Sequence, residues 1–150
     1  MSVYFPSGII NTSMFSTLYT LISFLIIYPY FNNEKKYYIL LIIFGLLIDI
    51  VYTNTFIFNT ILFLILSLVI EILNNILPNN IFTINVKSII IVFLYHILSF
   101  IILNVINYDS YTLGMLFNIL VNSIIMSIIY TLVLYLITKK IFNNYDKLIK

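Results

Sequence analysis

Three ionisable side chains that could do chemistry lie within apolar stretches of this sequence: Asp49, Glu71 and His96. A carboxylate at the centre of a membrane-spanning helix costs about 2.5–3.5 kcal/mol on insertion scales, so such groups usually face protein or water and often relay protons or bind ligands. Asp49 has no second carboxylate near it in the sequence, which disfavours acid–base catalysis by a carboxylate pair. Two structural interpretations stay open. Either Asp49 is hydrated near the membrane surface and caps the next helix, or Gly45, one turn earlier, admits a neighbouring helix whose donors bind the carboxylate.

His96 is the only histidine, and it falls near the middle of an apolar stretch. A neutral imidazole there needs a partner for its donor nitrogen and for its acceptor nitrogen. Tyr95, Ser99 or an asparagine of another helix could supply them, and we therefore predict a buried, hydrogen-bonded core residue; a proton relay is the alternative. A metal site needs about three or four protein ligands. One histidine without any cysteine is a poor basis for one, so we expect no metal and no cofactor.

The composition determines the class of protein. The 150 residues are 63% hydrophobic and 8% charged, whereas soluble domains carry roughly 25% charged residues. A single domain of this length cannot bury so much apolar surface in its own core. We therefore predict an all-α integral membrane protein, a bundle of about five transmembrane helices solvated by lipid.

Hydropathy and turn residues divide the chain into five predicted spans. They cover about residues 9–28, 37–52, 55–73, 86–107 and 112–138, and a tail at 139–150 follows. The second is short, because a bilayer crossing usually needs ~20 residues. Residues 1–150 then form a single transmembrane domain whose neighbouring helices are antiparallel.

The lysines predict the orientation. With five alternating spans, all seven fall on one side: Lys35, Lys36, Lys87, Lys139, Lys140, Lys147 and Lys150. Because positively charged loops stay in the cytoplasm, we predict a multi-pass protein of the cell membrane with its N-terminus outside and its C-terminus inside. Glu71 and Lys87 then lie near the inner surface, and we expect both side chains to extend to the headgroups.

Small and hydrogen-bonding residues recur at four-residue spacing in two predicted spans. Such rows typically mark helix faces that pack on other helices in lipid, although they could also line a substrate pocket. The rows are Thr12, Ser16 and Thr20 in the first span, and Gly114, Asn118 and Asn122, then Ser123, Ser127 and Thr131, in the fifth.

Common catalytic and nucleic-acid-binding motifs are missing from the sequence. It has no glycine-rich phosphate loop, no HExxH, no serine-centred elbow and no basic, aromatic patch for nucleic acid. A tail of about a dozen residues also cannot hold an active site outside the membrane. We therefore expect a protein that is not an enzyme and does not bind nucleic acid.

The stretch GLLIDIVYTNTFIFNTILFLILSLVIEIL, residues 45–73, resembles the rod-shape-determining MreD family. That family has a Gly-Leu-Leu-x-Asp start, a short turn and an apolar helix containing an asparagine. Gly45 to Leu47, Asp49 and Asn59 match this pattern. Ile57 stands where the family usually has a glycine, and Pro6 is similar to the proline that precedes the family's second helix. MreD proteins commonly have six spans, so a five-span chain resembles that arrangement without its first helix.

The resemblance implies a non-enzymatic scaffold of the bacterial cell-elongation machinery. Its partner would be a single-span MreC-type protein, and through it the actin-like MreB and the peptidoglycan synthases. MreD is similar in architecture to the S-components of energy-coupling-factor vitamin transporters, so the alternative is a substrate-binding transporter subunit. A third class, an intramembrane enzyme, would use Asp49 and His96. A deep polar cavity open to the outside would favour the transporter, and a closed bundle with a lateral groove would favour the scaffold.

Overall fold

The computed structural model describes residues 12–31, 33–53, 57–105 and 113–148 of the chain, and this part folds into an all-α bundle. Its helices are α1 (Thr12–Ile27), α2 (Glu34–Ile48), α3 (Phe58–Ile76), α4 (Ile81–Val105) and α5 (Leu113–Leu148). A 3-10 turn, Tyr28–Tyr30, follows α1, and a π-helical turn, Asp49–Thr53, follows α2. The predicted fold class is confirmed.

Helix α1 occupies the centre of the bundle. It packs against each of the other four helices, whereas the remaining neighbours pair as α2 with α3, α3 with α4 and α4 with α5. Leu21, Ile22 and Leu25 of α1 are almost completely buried. An apolar helix that contacts all four others forms the core, and the outer helices present their apolar faces to lipid.

Several helix ends differ from the sequence prediction because local hydrogen bonds extend the helices. Helix α4 begins at Ile81 rather than about Val86, since the Thr83 hydroxyl accepts from Asn80 N–H and donates to backbone carbonyls. Helix α5 continues to Leu148, so most of the predicted tail after residue 138 prolongs the last helix. Helix α2 begins earlier too, where the Asn33 side chain accepts from Lys35 N–H as an N-cap.

Among the residues that the structure describes, three helices are long and apolar enough to cross a membrane: Phe58–Ile76, Ile81–Ile102 and Leu116–Phe142. Helices α1 and α2 have 16 and 15 described residues, fewer than the ~20 of a full crossing. Helix α2 nevertheless exposes a continuous apolar surface that includes Ile39, Ile43 and Leu47. The protein is therefore embedded in a membrane through at least these apolar helices.

Lys87 is buried inside the bundle, so the expectation that it extends to the headgroups is wrong. Its ammonium group donates to Asn74 Oδ1 at 2.9 Å, to the Leu77 carbonyl at 3.0 Å and to Asn79 Oδ1 at 2.8 Å. All three acceptors belong to the end of α3 and the connection to α4. Burying a charged group is costly unless it is hydrogen-bonded. These three charge-assisted bonds satisfy the Lys87 ammonium and tie α4 to the end of α3 and the following connection.

The described lysines lie at one end of the bundle. Tyr30, beyond α1, stacks on Phe142 of α5 with ring centroids 4.0 Å apart, and the Tyr135 hydroxyl donates to the Asn79 carbonyl. These contacts bring the end of α1, the α3–α4 connection and the last third of α5 together. We call this the lysine end of the bundle.

Candidate functional site

In the α2–α3 hairpin, residues 34–76, a glycine allows the two helices to approach each other closely. A Cβ atom added to Gly45 would lie 2.8 Å from Thr60 Cα and 3.0 Å from Thr60 Oγ1. The nearer atom belongs to the backbone and cannot rotate away. Gly45 is therefore required because α3 lies directly against the α2 backbone, as small residues allow in membrane bundles.

One turn after Gly45, the carboxylate of Asp49 accepts four hydrogen bonds from the first turn of α3. Oδ1 accepts from the backbone N–H and the Nδ2 of Asn59, both at 2.9 Å. Oδ2 accepts from the backbone N–H of Thr60 at 3.0 Å and from its hydroxyl at 2.9 Å. A carboxylate offers about four lone-pair sites. The hairpin therefore uses the full accepting capacity of Asp49.

The first turn of α3 depends on the Asp49 carboxylate, because the residue at the N-cap position of α3 has no side chain that can cap the helix. The first N–H groups of a helix have no partner within the helix, and Ser, Thr, Asp or Asn usually supplies one from the N-cap position. Here that position is Ile57, which makes no side-chain cap. Asp49 therefore caps α3 from the preceding helix, and its negative charge lies at the positive end of the helix dipole.

Ile57 itself adopts φ 68° and ψ 0°, in the left-handed region. A glycine adopts this conformation without strain, whereas an L-residue loses about 1–2 kcal/mol. A β-branched residue there is unusual. The backbone at position 57 thus has the geometry that favours glycine, although the sequence places isoleucine there.

Further polar contacts tie the hairpin together at both ends. The Tyr95 hydroxyl of α4 donates to Asn59 Oδ1 at 2.9 Å, so the network runs from Asp49 through Asn59 to a third helix. At the lysine end, the Tyr38 hydroxyl of α2 donates to Glu71 Oε2 of α3 at 2.9 Å. Glu71 is therefore half-buried and hydrogen-bonded to protein, rather than extended freely to the headgroups as expected.

The structure decides between the two interpretations of Asp49. The residue is only 1% exposed, so the prediction of a hydrated carboxylate is wrong. Capping of α3 is confirmed, and so is the approach of a helix at Gly45. Capping and close approach belong to one arrangement, because the helix that approaches Gly45 is α3, the second helix of the same hairpin. Sequence reasoning missed Thr60; the pair of adjacent hydrogen-bonding residues, Asn59 and Thr60, was the signal that could have found it.

His96 is buried, as predicted, but its hydrogen bonds differ from the expectation. Its Nε2 atom has no hydrogen-bond partner among the described residues, and the hydroxyl of Tyr95 bonds to Asn59 instead. No three histidine, cysteine, aspartate or glutamate side chains in the described part of the chain come together as metal ligands do. Asp49, in the turn after α2, is thus bound by the first turn of α3, whereas His96 lies on α4.

The two polar rows of α5 face opposite ways. Ser123, Ser127 and Thr131 are buried within the bundle, as the packing prediction requires. Asn118 and Asn122 are exposed, as is Gly114, whose added Cβ would meet no atom within 4 Å. The row of Gly114, Asn118 and Asn122 therefore does not pack against the described bundle, and its packing on another helix stays a prediction. Thr12 and Ser16 lie outside the residues whose side chains are described.

Two cavities in the described part of the chain are lined mainly by apolar side chains. The larger, of about 400 Å³, lies between α2 and α5 above α1 and is open on its side. The smaller, of about 150 Å³, lies near Tyr135 and Asn79 at the lysine end. Neither collects the ionisable residues that the sequence singled out.

We expect Gly45→Leu to lower the free energy of unfolding more than Asp49→Asn does. The leucine side chain has to separate α2 from α3, which also draws Asp49 away from its four donors. Asparagine keeps one side-chain oxygen, which can still accept two of the four hydrogen bonds. The other two donors lose their acceptor, which costs about 1–3 kcal/mol. Unfolding of the purified variants in one detergent measures the order.

Gly114→Leu is the matched control, because the same change there meets open space. A loss at Gly114 as large as that at Gly45 would contradict the close-approach argument. If Asp49→Asn abolished function while stability and assembly stayed intact, the charge of the carboxylate would act chemically and the structural role would be wrong.

Ile57→Gly should keep or raise stability. Relief of the left-handed strain is worth about 1–2 kcal/mol, and the added backbone entropy of glycine offsets about 0.5–1 kcal/mol of it. Ile61→Gly, one turn into α3 at a residue 50% exposed, should lose about 1 kcal/mol. Thermal unfolding of both variants tests the opposite signs, and equal losses would contradict the geometry at position 57.

No protein-family model, no curated protein and no solved structure matches this chain. Any functional assignment therefore depends on the chain's own residues: the capped hairpin, the exposed amides of α5 and the apolar cavities.

Proposed function

We propose that this protein is a non-enzymatic membrane scaffold of the cell-shape and peptidoglycan elongation machinery, of the MreD type, which binds a single-span MreC-type partner. The observation that carries the proposal is the exposed position of Asn118 and Asn122. Both lie within the candidate span Leu116–Phe142, and both are exposed on the outside of the bundle.

An exposed amide inside a span has few partners in lipid. Asparagine side chains in membranes hydrogen-bond to other helices, and small residues next to them let the backbones approach. Gly114, Asn118 and Asn122 follow one another at four-residue spacing, so they lie along one stripe of α5. This stripe, which we call the amide face, has the chemistry that a second transmembrane helix would recognise.

The hairpin supports the family assignment because the matched residues act together. Gly45, Asp49 and Asn59, which resemble the MreD pattern, form one hydrogen-bonded, closely packed unit. Ile57 departs from the pattern, yet its backbone holds the conformation that favours the family's glycine. This unit would fix the framework that carries the amide face.

The contacts of Asp49 argue against the enzymatic alternative. Each of its oxygens already accepts two hydrogen bonds from α3, and a general base needs a lone pair directed at the substrate. The apolar lining of the described cavities also favours a scaffold over the S-component alternative, whose substrate would need convergent polar groups. MreB and the peptidoglycan synthases would then be reached through the MreC-type partner.

In this proposal the chain crosses the membrane five times, with the N-terminus outside and the C-terminus in the cytoplasm. The described lysines meet at one end of the bundle, which suits the cytoplasmic side. Helices α1 and α2 would cross as shorter spans, with the bilayer thinned or the helices extended at their ends.

The partner test uses Asn118→Leu together with Asn122→Leu. Each interhelical polar contact is worth about 1 kcal/mol in a membrane, so loss of two should weaken the affinity for a co-expressed MreC-type protein roughly thirtyfold and lower its recovery. The stability of the isolated chain should not fall, because leucine suits a lipid-facing site. Co-purification measures the first effect and thermal unfolding the second.

Asn75→Leu is the control, since Asn75 is also exposed but lies at the inner end of α3. Full recovery of the partner by the double α5 variant would contradict the amide face as its binding site. Specific binding of a vitamin-sized ligand by the purified chain would support the S-component alternative instead.

Reporter fusions test the topology separately. Fusions after Asn33 and after Lys150 should report the cytoplasm, and a fusion at Asn54 should report the outside, because the lysine end stays inside. An external signal at Asn33 would contradict the proposed number of crossings, whatever the result with the partner.

A further inference from the structure

The larger cavity is a lateral groove along the outside of the bundle. Its floor is α1, one wall is α2 and the other is α5. Most of its lining is apolar, and two of its hydroxyls, on Ser23 and Tyr130, bond to each other at 3.2 Å. Its lining includes Thr20, Ser23, Phe24, Leu40, Phe44 and Tyr130.

The groove has the length of one membrane leaflet. Its lining follows α1 from Tyr19 to Ile27, which corresponds to roughly 12 Å at 1.5 Å per helical residue, and Phe31 extends the groove beyond the end of α1. Half of the ~30 Å hydrocarbon core is about 15 Å. The Phe31 end lies beside the start of α2, which is the lysine end, so the groove belongs to the leaflet on that side.

Each helix that forms a wall of the groove carries a lysine beyond the lining residues, towards the lysine end. Lys36, Leu40 and Phe44 follow at four-residue spacing, so the lysine extends the same stripe of α2 that forms the wall. On α5, Lys140 lies ten residues beyond Tyr130, about 15 Å towards the same end and about 80° around the helix, so its long side chain would have to turn back towards the groove. Both lysine side chains are exposed.

We propose that this groove binds an anionic phospholipid, with an acyl chain between α2 and α5 and the phosphate held by Lys36 and Lys140. Basic pockets between transmembrane helices on the cytoplasmic side bind anionic headgroups. A volume of about 400 Å³ lies in the range of single-ligand sites, about 300–1,000 Å³. The groove is separate from the amide face, which lies roughly 80–120° away around α5.

The chain has no tryptophan, so one introduced tryptophan reports its own surroundings. Phe44→Trp places the reporter in the groove wall, and Leu40→Trp offers a second position on that wall if the first variant folds poorly. Ile43→Trp, 47% exposed on the neighbouring side of α2, reports bulk lipid. Each is reconstituted into phosphatidylcholine vesicles containing a minor fraction of acyl-brominated phosphatidylglycerol or acyl-brominated phosphatidylcholine, and quenching is measured.

We expect brominated phosphatidylglycerol to quench the groove reporter more strongly than brominated phosphatidylcholine, with equal quenching of Ile43→Trp. Lys36→Gln with Lys140→Gln should weaken the preference about fivefold for each lysine. Lys35→Gln with Lys139→Gln makes the same change in charge about 100° around each helix. Lys139 lies instead over the ring of Tyr135, 5.9 Å from its centroid, so this control should retain the preference.

Three results would overturn the proposal. Equal quenching by both lipids at the groove reporter would mean that the groove holds bulk lipid without selection. Weak quenching by both lipids would mean that lipid does not enter the groove because protein covers it, either a second copy of the chain or a partner helix. Equal loss in the two lysine pairs would mean a general attraction to the charged surface.

Discussion

The arrangement of this bundle depends on one buried carboxylate. Asp49 cannot remain charged within an apolar environment unless its oxygens are hydrogen-bonded, and the first turn of α3 cannot be buried unless its N–H groups find acceptors. Each satisfies the other: two backbone donors and two side-chain donors meet the carboxylate. Gly45 makes this possible, since any Cβ at that position would hold α3 away.

This constraint reaches beyond the hairpin because lipid offers little hydrophobic force between helices. Polar contacts and close packing therefore determine how the helices sit. The Asp49 network continues through Asn59 to Tyr95 of α4, and Lys87 of α4 bonds back to the end of α3 and the following connection. Helix α3 is thus held near both ends, while α1 fills the centre with side chains such as Leu21 and Ile22.

Within this framework, helix α5 has three chemically different sides. One of its sides carries the buried row Ser123, Ser127 and Thr131 against the bundle. Another carries the exposed amides Asn118 and Asn122, and a third, at Tyr130, forms a wall of the lateral groove. A helix with three chemically distinct sides can contact its own bundle, a partner helix and a lipid together, as the proposed scaffold would require.

The sequence by itself determined the class, the number of helices and the pairing of Gly45 with Asp49, because composition and helical periodicity are local properties. It also indicated that an acidic residue before an apolar helix could cap it. Only the tertiary structure decided that Thr60 completes the cap, that Asn74 and Asn79 bind the Lys87 ammonium, and that the Asn118 row faces outward. Two rows at the same four-residue spacing on one helix look alike in the sequence. Their inward or outward direction depends on how the helix rotates when it packs, and that rotation is set by contacts with residues distant in the chain.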